Sequence, residues 1–153
     1  MEYSALTAQL ASLADAEPHY VPLLANAAAL LFDALPDLNW AGFYLLRGGR
    51  LVLGPFQGRI ACIHIALGRG VCGTAAKEDR TLVVPDVHRF PGHIACDSAS
   101  NAEIVVPIHA NGAVIGVLDI DSPVFDRFTE ADQKGLEAFV SALEARTDFA
   151  ELV

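Results

Sequence analysis

Apolar residues recur at helical spacing through the first part of the chain. Leu6, Leu10 and Leu13 share one face of a helix, and Pro18 opens a second helix carrying Leu23, Leu24, Ala27, Leu30, Leu31 and Ala34. Pro36 and Asp37 end it. From Asn39 the period changes. Residues 40–46 read as a strand, Gly48-Gly49 as its turn and residues 51–53 as the returning strand, with a third strand over 59–65. Gly68 to Gly73 marks a glycine-rich corner leading into a short helix over 71–78, and residues 82–84 form a brief strand stopped by Pro85.

Residues 86–102, seventeen in all, show no period, and loops of that length inside compact domains are commonly functional. Residues 103–109 and 113–120 pair as a hairpin about Asn111-Gly112, the strongest turn signal in the chain. Thr129 is placed to cap a last helix striped by Leu136, Phe139, Val140 and Leu143. The order is helix-helix, three strands, short helix, three strands, helix. With no repeated βαβ unit, this predicts a single α+β domain over 1–153, built on a mostly antiparallel six-stranded sheet.

Composition narrows the function classes. A chain of 153 residues, 53% hydrophobic and 19% charged, supports its own core and is not disordered. The net charge of -9, with the ten Lys and Arg scattered singly along the sequence, argues against nucleic-acid and anionic-membrane binding. No apolar run is long enough to span a bilayer, and Met1-Glu2-Tyr3 lacks the basic start of a signal peptide. Three cysteines are too few for a disulfide scaffold, which points to a reducing cytoplasm.

The chemistry concentrates in four groups. Gly68-Arg69-Gly70-Val71-Cys72-Gly73 matches the dinucleotide pattern G-x-G-x-x-G but lacks its βαβ setting, so the glycines read as a tight strand-to-helix corner. Cys62 falls in the third expected strand. Cys72 falls in the first turn of the short helix, where unpaired N–H groups are expected to lower its pKa. Cys96 sits in the irregular loop among His93, Asp97, Ser98 and Ser100 and reads as a reactive thiol; two further thiols suggest attack followed by disulfide resolution. Zinc is the competing use, since Cys62 and His64 share a strand face, but the cysteine gaps of ten and twenty-four residues contain no metal knuckle, and no metal is expected.

Asp119 and Asp121 lie two apart on one strand, with Glu103 at the start of its partner. Three such acids repel one another unless a cation joins them, either a metal or a substrate ammonium. Trp40 and Tyr44, four apart on one strand face, supply an aromatic wall suited to an amino-acid-sized ligand.

These residues fall within blocks that resemble the free methionine-(R)-sulfoxide reductases, GAF-fold enzymes. The blocks are Asn39-Trp40-Ala41-Gly42-Phe43-Tyr44, Gly54-Pro55-Phe56-Gln57-Gly58 leading to Ala61-Cys62-Ile63, and the glycine-rich corner with Cys72. The run from Val84-Pro85-Asp86 through Gly92-His93-Ile94-Ala95-Cys96-Asp97 to Glu103 and the segment Gly116 to Pro123 complete them. The resemblance implies a GAF-like sheet with the N- and C-terminal helices on one face and the long loop over the other. It implies Cys96 as the attacking thiol, Cys62 as the main resolver and Cys72 as a further thiol in recycling. It also implies Glu103, Asp119 and Asp121 as the acids that hold the substrate, and Trp40 and Tyr44 as the aromatic side. Main-chain N–H groups of the loop from Gly92 to Cys96, Ile94 and Ala95 included, are expected to meet the sulfoxide oxygen or the substrate carboxylate.

The implied reaction reduces the free amino acid through a Cys96 sulfenic acid, which either Cys62 or Cys72 condenses to a disulfide. No bound cofactor is needed. The reductant is thioredoxin, itself reduced through NADPH and its reductase, and a homodimer is expected. Ala102 stands where the family pattern has a serine. The alternative is a non-catalytic GAF module that senses a small molecule or metal.

Overall fold

The computed structural model describes residues 2–94, 96 and 98–153. Helices α1 (Tyr3–Ala16) and α2 (Tyr20–Ala34) precede strands β1 (Trp40–Arg47), β2 (Arg50–Gly58) and β3 (His64–Ala66). Helix α3 (Gly70–Glu78) then leads to β4 (Leu82–Val84), β5 (Ala102–Ala110), β6 (Ala113–Ser122) and α4 (Glu130–Arg146). The six strands form one sheet in the order β3-β2-β1-β6-β5-β4, with every pairing antiparallel. The expected α+β architecture is therefore present.

Alternation along each strand sorts side chains onto two faces. Ala41, Phe43 and Leu45 of β1, with Ile104, Ile108, Leu118 and Ile120 of β5 and β6, pack against Leu6 and Leu10 of α1, Leu24 and Leu31 of α2, and Leu136 and Phe139 of α4. Each fully buried leucine or phenylalanine there contributes about 1.5–3 kcal/mol by leaving water. The opposite face carries Trp40, Tyr44, Val105 and Val117 and is covered by Val71, Cys72 and Ala75 of α3. Because both faces are buried, the central strands read as nearly continuous apolar runs.

Local signals set the ends of these elements. Thr129 caps α4, accepting from Asp132 N–H while the Asp132 side chain accepts from Thr129 N–H. The β5–β6 turn forms at Asn111-Gly112, both left-handed at φ 53° and 77°.

Three boundaries differ from expectation. The strand expected over 59–65 is only His64–Ala66, leaving Cys62 outside it. β2 extends to Gly58, and Ala102 belongs to β5 rather than to the loop. Within the loop, Val87–Arg89 makes a short 3-10 turn capped by Asp86.

Candidate active site

The register of the three central strands assembles the polar face. Trp40 of β1 lies opposite Asp121 of β6, and Asp121 opposite Glu103 of β5, so the three form one row across the sheet. The next row on this face is Gly42, Asp119 and Val105, followed by Tyr44, Val117 and Pro107. Period-two alternation keeps Asp119 and Asp121 together, and antiparallel pairing brings Glu103 beside them.

Two aromatics wall this face. Trp40 stacks on Phe56 with ring centroids 5.2 Å apart and on Tyr44 at 5.9 Å. Gly42 is required beside them, because a Cβ there would come 2.8 Å from Trp40 Cη2 and would clash with Phe56. The polar ends of both rings reach one short segment: Trp40 Nε1 donates to Arg59 O at 3.1 Å and Tyr44 OH to Cys62 O at 2.8 Å. These side-chain bonds take the place of strand pairing, which explains why the segment before His64 is not a strand.

Cys62 and Cys96 are joined as a disulfide with Cα atoms 5.6 Å apart, across 34 residues of sequence. The loop that carries Cys96 is fastened at both ends. Val87 N–H donates to Asn101 O at 2.9 Å, Asn101 N–H to Ser122 O at 2.8 Å, and Asn39 Nδ2 to Ser100 Oγ at 2.9 Å. Gly70, at φ +61°, turns the chain into α3, and a side chain there would press on Ile94, so this glycine also seats the loop on the helix start. Ala95, expected among the binding residues, lies outside the described residues.

Cys72 is the free cysteine, buried in the first turn of α3. Its Sγ lies 3.8 Å from Glu103 Oε2. Its pKa is raised, not lowered as its place in the helix suggests. Burial pushes the thiol up, and the charges of Asp119, Glu103 and Asp121 add to that effect. Burial also raises Glu103 well above the usual carboxyl range, helped by the neighbouring Asp119 and Asp121, and it raises Asp119. Hydrogen bonds from Glu103 and Cys72 partly offset the rise at Asp119. Asp119 Oδ1 is buried without a hydrogen-bond partner.

Trp40, Tyr44, Cys72, Ile94, Cys96, Glu103, Asp119 and Asp121 line one cleft, with about 540 Å³ between its atoms and part of that open to solvent. Cys62 borders the cleft through its disulfide but is not in its wall. Sequence reasoning missed Arg69 and Ser100, which also line it. The only signals were a lone base inside the glycine corner and a serine in the aperiodic loop.

Cys72, Glu103 and Asp119 place three possible metal donors within 4.8 Å of one another. The Cys62–His64 pair considered from sequence does not form such a group, because Cys62 is in the disulfide and outside β3. The glycine corner joins β3 to α3 within an all-antiparallel sheet, which is not a dinucleotide-binding βαβ unit.

The GAF domain model matches residues 4–146. The free methionine-R-sulfoxide reductase of Escherichia coli is 53% identical over 150 residues, 96% of this chain and 91% of that protein. Among solved structures, the fRMsr of Staphylococcus aureus in its reduced form has a TM-score of 0.91 and 55% identity over 94% of both chains. The free methionine-R-sulfoxide reductase of Neisseria meningitidis, solved with its substrate, has a TM-score of 0.90 and 45% identity over 94% of this chain and 87% of that one. Similarity of this depth over nearly the whole length, with paired cysteines beside an acid-lined cleft, means that the chain belongs to the free methionine-R-sulfoxide reductase family of GAF-fold proteins.

Proposed function

We propose that this protein reduces free L-methionine-(R)-sulfoxide to L-methionine. The observation that carries the reading is the Cys62–Cys96 disulfide at the edge of a cleft walled by three acids and two aromatics. In the reduced enzyme the Cys96 thiolate attacks the sulfoxide sulfur, and the S–O bond breaks as its oxygen moves onto Cys96. Glu103, whose pKa burial raises well above the usual carboxyl range, is suited to act as general acid toward that oxygen. Asp121 and the open acceptor of Asp119 suit the substrate ammonium, and the rings of Trp40 and Tyr44 suit its apolar chain. Main-chain N–H groups around Ile94 and Ala95 are proposed to meet the remaining polar groups.

Methionine leaves Cys96 as a sulfenic acid, Cys62 condenses with it, and water is released. Cys72 remains in the cleft as a second, slower thiol, since its raised pKa keeps it protonated. Thioredoxin, recharged through NADPH and its reductase, returns the disulfide to two thiols. We place the reaction in the cytoplasm, in a homodimer whose protomers are each one domain. Among the described residues no helix is long and apolar enough to cross a membrane.

The test is NADPH consumption through thioredoxin reductase and thioredoxin with the resolved R and S sulfoxides. Turnover confined to the R isomer and lost in Cys96→Ser is the expected result. No turnover with either isomer overturns the reading in favour of a ligand-sensing module.

A further inference from the structure

The disulfide has two unlike sides. Cys96 lines the cleft, whereas Cys62 does not; it follows Ile60 and Ala61, which stand in the cleft wall, within the short segment 59–63. Around Cys62 two isoleucines stand in water, Ile60 at 90% and Ile63 at 63% exposure. Single exposed apolar residues are common and need no explanation. What sets these apart is how firmly their backbone is held. Arg59 O accepts from Trp40, Cys62 O from Tyr44, and Ile63 O from Leu53 N–H at 2.9 Å. A segment tied at three points to buried β1 and to β2 does not fold its isoleucines back onto the protein, so they are held outward on both sides of a reactive sulfur.

Charge singles out the same region. Residues 38–77 contain five of the ten Lys and Arg and none of the nineteen acids, so this stretch carries +5 and the rest of the chain -14. Arg47, Arg50 and Lys77 lie on β1, β2 and α3, and Arg59 and Arg69 in the segments between them. Arg47, Arg50, Arg59, Arg69 and Lys77 are all exposed, and Arg59 has no ion-pair partner among the described residues. On a molecule of this net charge, the unpaired Arg59 beside the two isoleucines favours an acidic partner.

We propose that residues 59–63 form the docking surface for the reductant, a dithiol protein with an apolar and acid-rimmed active-site face, and that it attacks Sγ of Cys62. The proposal rests on the reductase reading above. The partner's thiolate bonds to Cys62 Sγ, the Cys62–Cys96 bond breaks, and Cys96 leaves as a thiolate facing the cleft. The partner's second thiol then loses its proton and attacks the partner sulfur bonded to Cys62. Cys62 leaves as a thiolate and takes a proton from water, and the partner departs as a disulfide. Two electrons pass from the partner dithiol to the enzyme. The nucleophile of the next turnover is released on the cleft side while the partner sits at the cleft mouth, against Ile60 and Ile63.

Two measurements on the full chain test this. Oxidised protein is mixed with a bacterial thioredoxin whose second active-site cysteine is serine, quenched with iodoacetamide and mapped by mass spectrometry. The mixed disulfide is expected on Cys62, and finding it on Cys96 overturns the proposal. In the second, Ile63→Glu is expected to raise KM for thioredoxin by about tenfold. Its dithiothreitol-driven turnover and its methionine yield in a single turnover are expected to match the wild type. An unchanged KM for thioredoxin overturns the docking surface. If the wild type forms no methionine even with dithiothreitol, the reductase reading itself has failed, and the proposal with it.

Discussion

The phenol of Tyr44 donates a 2.8 Å hydrogen bond to the carbonyl of Cys62, although the two are 18 residues apart and only Tyr44 lies in a strand. The ring that forms part of the cleft wall therefore also holds the cysteine that closes the disulfide. Trp40 does the same for Arg59. The aromatic cleft wall and the segment that carries Cys62 are thus mechanically one unit.

Tyr44→Phe separates these two roles. The ring stays, the bond to Cys62 goes, and the loss is about 1 kcal/mol of stability. Methionine release in a single turnover is expected to keep its rate, while disulfide formation slows because Cys62 is no longer held near Cys96. Rapid quench with parallel thiol titration reads both. Equal slowing of the two steps refutes the division of roles.

The cysteine pair predicts unequal variants. Cys96→Ser abolishes methionine formation. Cys62→Ser still forms about one methionine per enzyme in the absence of reductant, then turns over slowly with thioredoxin, because Cys72 holds its proton. Methionine counted against active sites checks this, and a Cys62→Ser variant with no first turnover rules out Cys96 as the attacking group.

Glu103→Gln removes the proton held in the cleft. A general acid is worth about 10²–10⁴-fold, so a fall of that order in kcat/KM is expected. The wild-type rate is also expected to decline as pH rises through the elevated Glu103 pKa, a limb absent in the variant. The substitution moves stability in the opposite direction to activity. The native pKa lies above the unfolded value of 4.5, so the unfolded chain releases a proton that the native state keeps. Above that pH Glu103 costs stability, and the cost grows as pH rises. Melting curves are expected to show Glu103→Gln more stable than wild type at pH 8, with the gap closing toward pH 5.

His109 supplies a signed prediction away from the cleft. Its ring bonds Glu144 Oε2 at 2.7 Å and Asp79 Oδ1 at 2.6 Å, tying β5 to α4 and to the end of α3. Burial pulls its pKa down, but the two carboxylates outweigh that and raise it above 6.5. The contribution is fully present below the unfolded value of 6.5 and is lost as pH climbs through the raised native value. His109→Gln is therefore expected to lower Tm at pH 5.5 more than at pH 9. An equal loss at both values would mean that packing, not charge, ties these elements.

Much of the architecture was legible along the chain. The helices around Leu6, Leu24 and Leu136, the Asn111-Gly112 turn and the shared face of Asp119 and Asp121 all follow from periods of 3.6 and 2, which depend only on local backbone geometry. The aperiodic loop stands out in the sequence through the polar neighbours of Cys96. Other features were decided by tertiary structure. Cys62 left its expected strand because its carbonyl found a phenol from β1 instead of a strand neighbour. Arg69 and Ser100 entered the cleft wall through packing with no pattern of their own. Cys72 shows the difference most clearly. Its helix position predicted a lowered pKa, yet burial beside three carboxylates raised it. Position along a helix is encoded by neighbours in sequence, whereas desolvation and the charges that meet a buried group are set by residues that only the closed sheet brings together.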